Sequence, residues 1–304
     1  MTLLGLLLPA LASVAFARSA DRIVGVDPRR SVWRLAVGGS ILAVAAVASA
    51  AIAAWVLVAR IPLIASIGGW DVRRVQGSVD VPVFVSIVGL VVLVVAGARL
   101  FAASSRAMCG WRAVLGLHRS LRPGPRIIDA SVVAGAAVAV PALPGHPGRI
   151  VLDSALLDAL EPAERTAVIA HETEHLDARH AWASTVVALA VAANPLLRSL
   201  GPVHALAVER AADEQAAART DRRTTARAVA MAALHASTTQ RLILGIGSSV
   251  TAIRVEALLA EPTGGRGRPA LFFALPFLAA LGALAAGVRM ETVFEALMRV
   301  TGSA

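Results

Sequence analysis

Two histidines and a glutamate that could bind and use a metal ion lie together at residues 171–175. The sequence His171-Glu172-Thr173-Glu174-His175 reads H-E-x-x-H. On a helix, residues four apart share one face, so both imidazoles can converge on one tetrahedral zinc ion. Glu172 projects to the side of that face, where it could take a proton from a water molecule whose pKa the zinc lowers toward ~7. The pattern predicts metal-assisted hydrolysis.

The residues before this motif predict the helix that it needs. Glu161-Pro162-Ala163-Glu164 has the composition of a first helical turn, because proline fits where its N–H is not needed and acids suit the positive helix end. The apolar residues 167–170 lead into His171 and indicate a largely buried helix. The alternative is an exposed polar helix with incidental histidines.

A zinc site needs a third protein ligand. In the metzincin pattern H-E-x-x-H-x-x-G-x-x-H, the last two defined positions hold Ala178 and Ala181 here. His180 is one residue out of phase, so we expect a solvated or capping residue. Glu209 is the better candidate, since a carboxylate from a second helix would complete a His2Glu site. Asp213, one turn later, could hydrogen-bond a ligand histidine and fix its tautomer. The alternative for Glu209 and Asp213 is a surface charge pair.

The composition predicts a membrane protein. Hydrophobic residues make up 57% of the 304 residues, charged residues 16%, and the mean hydropathy is +0.71. A span needs about 20 apolar residues, and we predict four spans, at residues 2–17, 35–58, 81–98 and 270–288. The first could instead be a cleaved signal peptide, but arginines follow it rather than precede it. Residues 181–197, interrupted by Asn194-Pro195, are interpreted as a core or interfacial helix.

The expected fold class is mainly α, a multi-span membrane helix bundle with an inserted α+β zincin-like metallopeptidase domain. We place a three-span region at residues 1–104, the metallopeptidase domain at 105–269, and the fourth span with a short outer tail at 270–304. Residues 127–128, 132–140 and 149–152 predict short strands in a small sheet, although 132–140 could be a loop. Such a strand could hold an extended peptide by backbone pairing. Residues 263–269 are interpreted as a hinge.

Arginine placement predicts the orientation. Five arginines follow the first span and six lie around and after the end of the third, namely Arg18, Arg22, Arg29, Arg30 and Arg34, and Arg99, Arg106, Arg112, Arg119, Arg122 and Arg126. The positive-inside rule then puts the metallopeptidase domain in the cytoplasm of a multi-pass cell-membrane protein. The net charge of +9 is accounted for beside anionic lipid, and without a nucleic-acid motif we expect no direct nucleic-acid binding. The single cysteine, Cys109, excludes an intramolecular disulfide and is expected to be buried or interfacial.

The chain resembles the BlaR/MecR-type integral membrane zinc metallopeptidases, gluzincins related to the HtpX-type proteases. The matching residues are Ile169-Ala170-His171-Glu172-x-x-His175, Asn194-Pro195-Leu196 and Glu209-x-x-Ala212-Asp213. The Asn-Pro-Leu element favours this family over the HtpX type. The resemblance implies that His171, His175 and Glu209 bind zinc and that Glu172 is the catalytic base. Members are signal transducers whose cytoplasmic protease leads to loss of a transcriptional repressor.

The sequence departs from that family at one point. Antibiotic-sensing members carry a penicillin-binding domain after the last span, whereas residues 289–304 hold no S-x-x-K motif, so direct β-lactam acylation is not expected. The predicted function is zinc-dependent endopeptidase cleavage of a cytoplasmic or membrane-proximal protein, with repressor inactivation as the signalling role. The alternative is a non-enzymatic membrane signalling scaffold with a structural zinc site. A small transporter fits less well, because the second and third spans are plainly apolar. The sequence leaves a homo-oligomer open.

Overall fold

The computed structural model describes residues 2–24, 27–78, 81–121, 124–129, 137–239, 247–260 and 269–301. Its membrane region consists of helices α1 Thr2–Val24, α2 Pro28–Ala59, α3 Pro62–Gly68, α4 Val72–Ser78, α5 Val83–Ser120 and, near the C-terminus, α12 Pro269–Thr301. Between α5 and α12 lie strands β1 Ile127–Asp129, β2 Ala137–Val140 and β3 Arg149–Leu152. They are followed by helices α6 Ser154–Ala159, α7 Pro162–Asp177, α8 His180–Ala193, α9 Leu200–Arg219, α10 Arg222–Thr239 and α11 Gly247–Leu259. The fold is mainly α with one small sheet, as predicted.

Four of the described helices are long and apolar enough to cross a membrane. The qualifying stretches are Leu4–Arg22, Pro28–Ala59, Val83–Ser120 and Ala274–Thr292. Helix α2 packs against α1, α5 and α12 and is the centre of this bundle. Its buried face consists largely of alanine, glycine and serine, which allow neighbouring helices to approach closely. Helices that could form the four predicted spans are therefore present, and each qualifying stretch ends after the predicted C-terminal bound.

Helix α5 does not end with the third predicted span. It continues to Ser120 because no proline interrupts it, so the predicted domain boundary at residue 105 lies inside a helix. A helix of 38 residues is about 57 Å long, whereas the hydrocarbon core is about 30 Å thick. Cys109, expected to be buried or interfacial, lies on this extension and is exposed, so it is not a buried thiol. Likewise, α12 runs through the predicted outer tail as far as Thr301.

The sheet has the order β1-β3-β2, with β3 at its centre and buried along its whole length. Strand β1 pairs parallel to β3, and β2 pairs antiparallel with Val138 opposite Val151. Residues 137–140 of the predicted segment 132–140 are thus a strand, and the rest lies outside the described residues. Within the part of the chain that the structure describes, β2 pairs on one side only. Of the predicted hinge at residues 263–269, residues 263–268 also lie outside the described residues, and Pro269 begins α12.

Helix α7, which contains the H-E-x-x-H motif, is bonded to the first turns of α2. The Arg29 Nε atom lies 2.8 Å from Oε1 of the buried Glu174. The Trp33 indole N–H donates to the carbonyl of Ala178, just after the end of α7, at 2.9 Å. Arg29 and the start of α2 therefore lie on the same side of the bundle as the H-E-x-x-H helix.

Helix α8 and the Asn-Pro turn join this region to α1. Helix α8 packs against α2, α5 and α9, and its 14 residues are too few for a span. The turn that follows begins at the buried Asn194, whose amide donates to the Ser13 hydroxyl at 2.9 Å. Since two buried polar groups satisfy each other here, the contact fixes where α8 meets α1.

Gly89 tests the close packing of α2 against α5. A Cβ at this position would lie 2.8 Å from the Ala50 carbonyl oxygen and 2.8 Å from the Ala53 Cβ, so backbone would have to move. We expect Gly89→Ala to lower the free energy of unfolding by about 1–3 kcal/mol. Denaturant unfolding of the purified chain in detergent measures it.

The matched control is Gly97→Ala on the same helix, where a Cβ would meet nothing within 4 Å. This change is expected to leave stability unchanged or to raise it by up to ~1 kcal/mol, because alanine is the better helix former. Equal effects of the two substitutions would contradict the packing described for α2 and α5.

Candidate metal centre

Helix α7 begins where the sequence predicts. The Glu161 N–H donates to the Glu164 carboxylate at 3.0 Å, and the reciprocal bond completes a capping box in front of Pro162. Buried Ala167 and Val168 then pack in the core beneath the sheet. This local order fixes the rotation of α7 and turns His171 and His175 toward α9.

Three side chains from α7 and α9 converge as a candidate metal site. The Nε2 atoms of His171 and His175 are 3.1 Å apart. The Glu209 carboxylate lies 3.6 Å from the first and 3.8 Å from the second. Ligands at ~2.0–2.1 Å from a tetrahedral ion are separated by about 3.3 Å, so this donor set fits zinc closely. The structure thus brings together the three residues that the sequence proposed as ligands.

Asp213 stands behind this cluster, one turn after Glu209. Its carboxylate lies 3.0 Å from Nδ1 of His171, and its side chain is 2% exposed. An imidazole that donates Nδ1–H to a carboxylate presents its Nε2 lone pair to a metal. The burial of Asp213 rules out a surface charge pair for this residue, and its position matches the proposed orienting contact.

Arg254, which sequence reasoning missed, joins the carboxylates of Glu209 and Asp213 on α9. Its guanidinium donates two bonds to Asp213, at 2.8 Å and 2.7 Å, and lies 2.9 Å from a Glu209 oxygen. These bonds outweigh the effect of burial and hold the pKa of Asp213 below its usual range. The available signal was a single arginine in the middle of α11.

His180, expected to be a solvated or capping residue, lies at the start of α8 but is not solvated. It is 2% exposed, and its Nδ1 lies 2.9 Å from Nδ1 of His175. Helix α7 ends at Asp177, and Arg179 adopts a left-handed backbone conformation with φ of 54°, which starts α8 in a new direction. Burial, and then the nearby His175, lower the pKa of His180 to about 3, so this imidazole is neutral at ordinary pH.

Glu172 faces the same cavity from the side of α7. Burial raises the pKa of this carboxyl, and the nearby His171 opposes the shift only in part. Its carboxylate also accepts a hydrogen bond from the backbone of Ala139 on the edge strand β2. A carboxylate with a raised pKa is a better proton acceptor at neutral pH than an ordinary surface glutamate.

The cavity has a volume of about 600 Å³ and extends from the candidate metal ligands to the edge strand β2. Strand β2 lines one side of it with Ala137, Val138 and Ala139. Small apolar residues of α7, α9 and α10 line the other walls, namely Ala167, Val168, Ala216, Ala228, Val229 and Ala232. The space is large enough for part of a peptide, with the candidate metal ligands at one wall.

The charge of the candidate ligand cluster depends on the protonation of His171. Burial lowers the pKa of His171, but the carboxylates of Asp213 and Glu209 outweigh it and raise this pKa to about 9. For Glu209, burial is outweighed by His171 and Arg254, and the pKa falls to about 2. Burial and the charge of His171 lower the pKa of His175 to about 4. Above pH ~5, His171 is therefore the proposed ligand that still carries an extra proton.

Zinc binding is expected to release about one proton per ion at pH 6. The ion takes the Nε2 lone pair of His171, so the proton held there with a pKa of about 9 must leave, while His175 and Glu209 are already deprotonated. Titration calorimetry in buffers of different ionisation heats counts the released protons. Zinc binding to the Asp213→Asn variant should release fewer protons, since the substitution lowers the pKa of His171. Zinc binding without proton release at pH 6 would contradict this charge assignment.

Comparison with known proteins shows that part of this region is similar to one protein family. The sequence model of Peptidase family M48, a zinc metallopeptidase family, matches residues 137–245. No curated protein and no solved structure shows a significant match to the chain. The matched residues run from β2 into the stretch after α10, so they include the H-E-x-x-H motif, Glu209 and Asp213. The narrower resemblance to the BlaR/MecR type stays a prediction. A region similar to M48 metallopeptidases, joined to apolar helices that could span a membrane, is what the comparisons and the fold together establish.

Proposed function

We propose that the chain is a membrane-embedded zinc endopeptidase. The observation that carries this proposal is the convergence of His171, His175 and Glu209 at one wall of a cavity that Glu172 also lines. Two imidazoles, one carboxylate and a neighbouring proton acceptor are the groups that metal-assisted peptide hydrolysis requires. The match to Peptidase family M48 over the same residues supports it.

In this proposal His171, His175 and Glu209 would hold the zinc. The ion would supply polarisation of the scissile carbonyl and a higher acidity of the attacking water. Glu172 takes the proton from that water at its carboxylate and passes it to the leaving amine. Its raised pKa favours both transfers, because the acid and base forms are then closer in free energy at neutral pH.

The open edge of β2 is the proposed binding surface for the substrate backbone. An extended peptide that pairs with Ala137–Val140 would run along the cavity and bring one peptide bond past Glu172. The Ala139 backbone, which bonds Glu172, would set the distance between the bound strand and the carboxylate. Small side chains on the opposite walls leave room for the side chains of the peptide.

We further propose that the site faces the cytoplasm. The arginine-rich start of α2, with Arg29, Arg30 and Arg34, lies on the site's side, as the contact of Arg29 with Glu174 indicates, and arginines favour the cytoplasmic side. A site that is attached directly to the first turn of α2 suits a cytoplasmic or membrane-proximal protein segment. On the strength of the resemblance to repressor-inactivating transducers, we propose that a transcriptional repressor is among the affected proteins.

The alternative function, a non-enzymatic scaffold with a structural zinc site, explains fewer of these observations than an endopeptidase does. A structural zinc site needs its ligands but has no use for Glu172, whose carboxyl is buried at the cavity and has a raised pKa. Structural zinc sites are also closed by four protein ligands, whereas the described residues supply three at this centre.

Glu172→Gln is expected to reduce peptide hydrolysis by at least about 100-fold and to leave zinc content unchanged. The amide cannot accept a proton at neutral pH, and Glu172 is not one of the proposed ligands. Fluorogenic peptide libraries and metal analysis of the purified full-length protein measure the two properties. Glu174→Gln is the control on the same helix, since Glu174 pairs with Arg29 instead of facing the cavity. If Glu172→Gln keeps full turnover, or if only Glu174→Gln loses activity, another group is the base.

The same Glu172→Gln variant identifies the substrate. Quantitative proteomics compares cells that carry this variant with cells that carry the wild type. A protein that accumulates at full length only with the variant is the substrate, and a transcriptional repressor is the result that the signalling proposal expects. If the levels of repressors are unchanged and membrane proteins accumulate instead, the role of the protein is membrane-protein turnover and not signalling.

Cys109 provides a test of orientation. As the single cysteine, exposed on the extension of α5, it should react with a membrane-impermeant maleimide only after cells are permeabilised. In a Cys109→Ala background, Gly77→Cys on α4 should react in intact cells, since Gly77 has open space around it near the other end of the bundle. Labelling of Cys109 in intact cells would place the metal centre outside the cytoplasm.

A further inference from the structure

We propose that His180 is a positioning residue that holds His175 in the tautomer able to bind zinc. The inference rests on the proposed function, because it concerns a ligand of the proposed zinc site. It assigns a role to a residue that is out of phase with the metzincin pattern and that supplies no ligand atom to the cluster.

The contact between the two rings fixes where a proton must lie. Their Nδ1 atoms are 2.9 Å apart, and the rings meet edge to face at an interplanar angle of 78°. At this distance one nitrogen carries the proton and the other accepts it. The proton therefore belongs to His175 Nδ1 or to His180 Nδ1, and the choice decides what His175 can do.

Only one of these arrangements allows metal binding. The Nε2 atom of His175 faces the cluster, 3.1 Å from Nε2 of His171 and 3.8 Å from Glu209. A neutral imidazole that binds metal through Nε2 carries its proton on Nδ1. His175 must therefore donate, and His180 must accept through Nδ1. The reverse arrangement would leave a proton on His175 Nε2 and block the site.

The surroundings of His180 indicate that this contact is the reason for its burial. In the described part of the chain, its Nε2 atom is buried and has no hydrogen-bond partner. A buried imidazole with one unpaired nitrogen is a poor choice for stability alone, since an apolar side chain would avoid the unpaired group. The left-handed backbone of Arg179, uncommon outside glycine, aims α8 so that His180 meets His175.

The two proposed ligand histidines are thus oriented from different helices. Asp213 on α9 holds His171, and His180 on α8 holds His175. A neutral imidazole accepts a hydrogen bond without adding negative charge to a cluster that already contains Glu209 and Asp213. His180 would therefore fix the ring of His175 without making the centre more anionic.

The test compares two side chains of nearly equal shape at position 180. In His180→Asn the amide oxygen takes the place of Nδ1 and can accept the bond, whereas His180→Leu has no acceptor. We expect zinc affinity to fall 10–100-fold in the leucine variant and by less than about tenfold in the asparagine variant. Competition with a chelator measures affinity on the purified full-length protein. The absorption spectrum of the cobalt-loaded protein reports ligand geometry and should change in the leucine variant only.

His204→Leu is the control for loss of a buried imidazole. His204 is also 2% exposed, and it bonds the Ser184 hydroxyl at 3.3 Å without contacting a proposed ligand. Its substitution should leave zinc affinity and the cobalt spectrum unchanged. If the leucine variant at position 180 does not fold, His180→Gln replaces it, because the longer side chain carries its amide toward the Nε2 position.

Three results would overturn the inference: wild-type affinity in His180→Leu or its glutamine substitute, an equal loss in His180→Asn, or an equal loss in His204→Leu. A wild-type protein that binds no zinc would overturn the proposed function together with this inference. Zinc binding that is insensitive to position 180 would overturn the inference alone.

Discussion

The site depends on the neutralisation of two carboxylates that lie one turn apart on α9. Glu209 and Asp213 are four residues apart on one helix face, where like charges repel each other. Arg254 bonds both of them from α11, and His171 adds a second positive group between them. Because a bound zinc ion would replace the proton of His171, the cluster can exchange one cation for another without leaving an unpaired buried charge.

This charge balance requires that α7 and α9, which are separate in the sequence, keep fixed positions relative to each other. Helix α7 is positioned by the capping box at its start, by the β2–β3 sheet and by the clamp from Arg29 and Trp33 on α2. Helix α9 packs against both α7 and α2. The central helix of the membrane bundle therefore supports the donor cluster directly. The contacts of Arg29 and Trp33 thus couple the position of α7 to that of α2.

The sequence was sufficient for those features that short spacing encodes. The i, i+4 histidines, the proline-led start of α7, the apolar spans and the strand at residues 149–152 each follow from local periodicity or capping. Glu209 followed from the chemistry of a third ligand rather than from spacing. Local patterns could also not show that α5 continues past the predicted boundary, since a span and its extension have the same helical period.

Arg254 and His180 could not be predicted for a different reason. Arg254 is 41 residues from Asp213, and nothing local to α11 indicates which buried carboxylate it meets. His180 was judged by its position in the metzincin pattern, but here α7 ends at Asp177 and the turn at Arg179 gives α8 its own direction. Both residues act through contacts between separate helices. Such contacts depend on how the elements pack together, and a single sequence contains no direct record of that packing.

X-ray absorption at the zinc edge tests the central claim most directly. Applied to the purified full-length protein after loading with one equivalent of zinc, it reports which atoms bind the ion and at what distance. The proposed site predicts nitrogen and oxygen neighbours at ~2.0–2.1 Å, the scattering pattern of two imidazoles and no sulfur. A sulfur neighbour at ~2.3 Å, or a spectrum without imidazole scattering, would contradict a centre built from His171, His175 and Glu209.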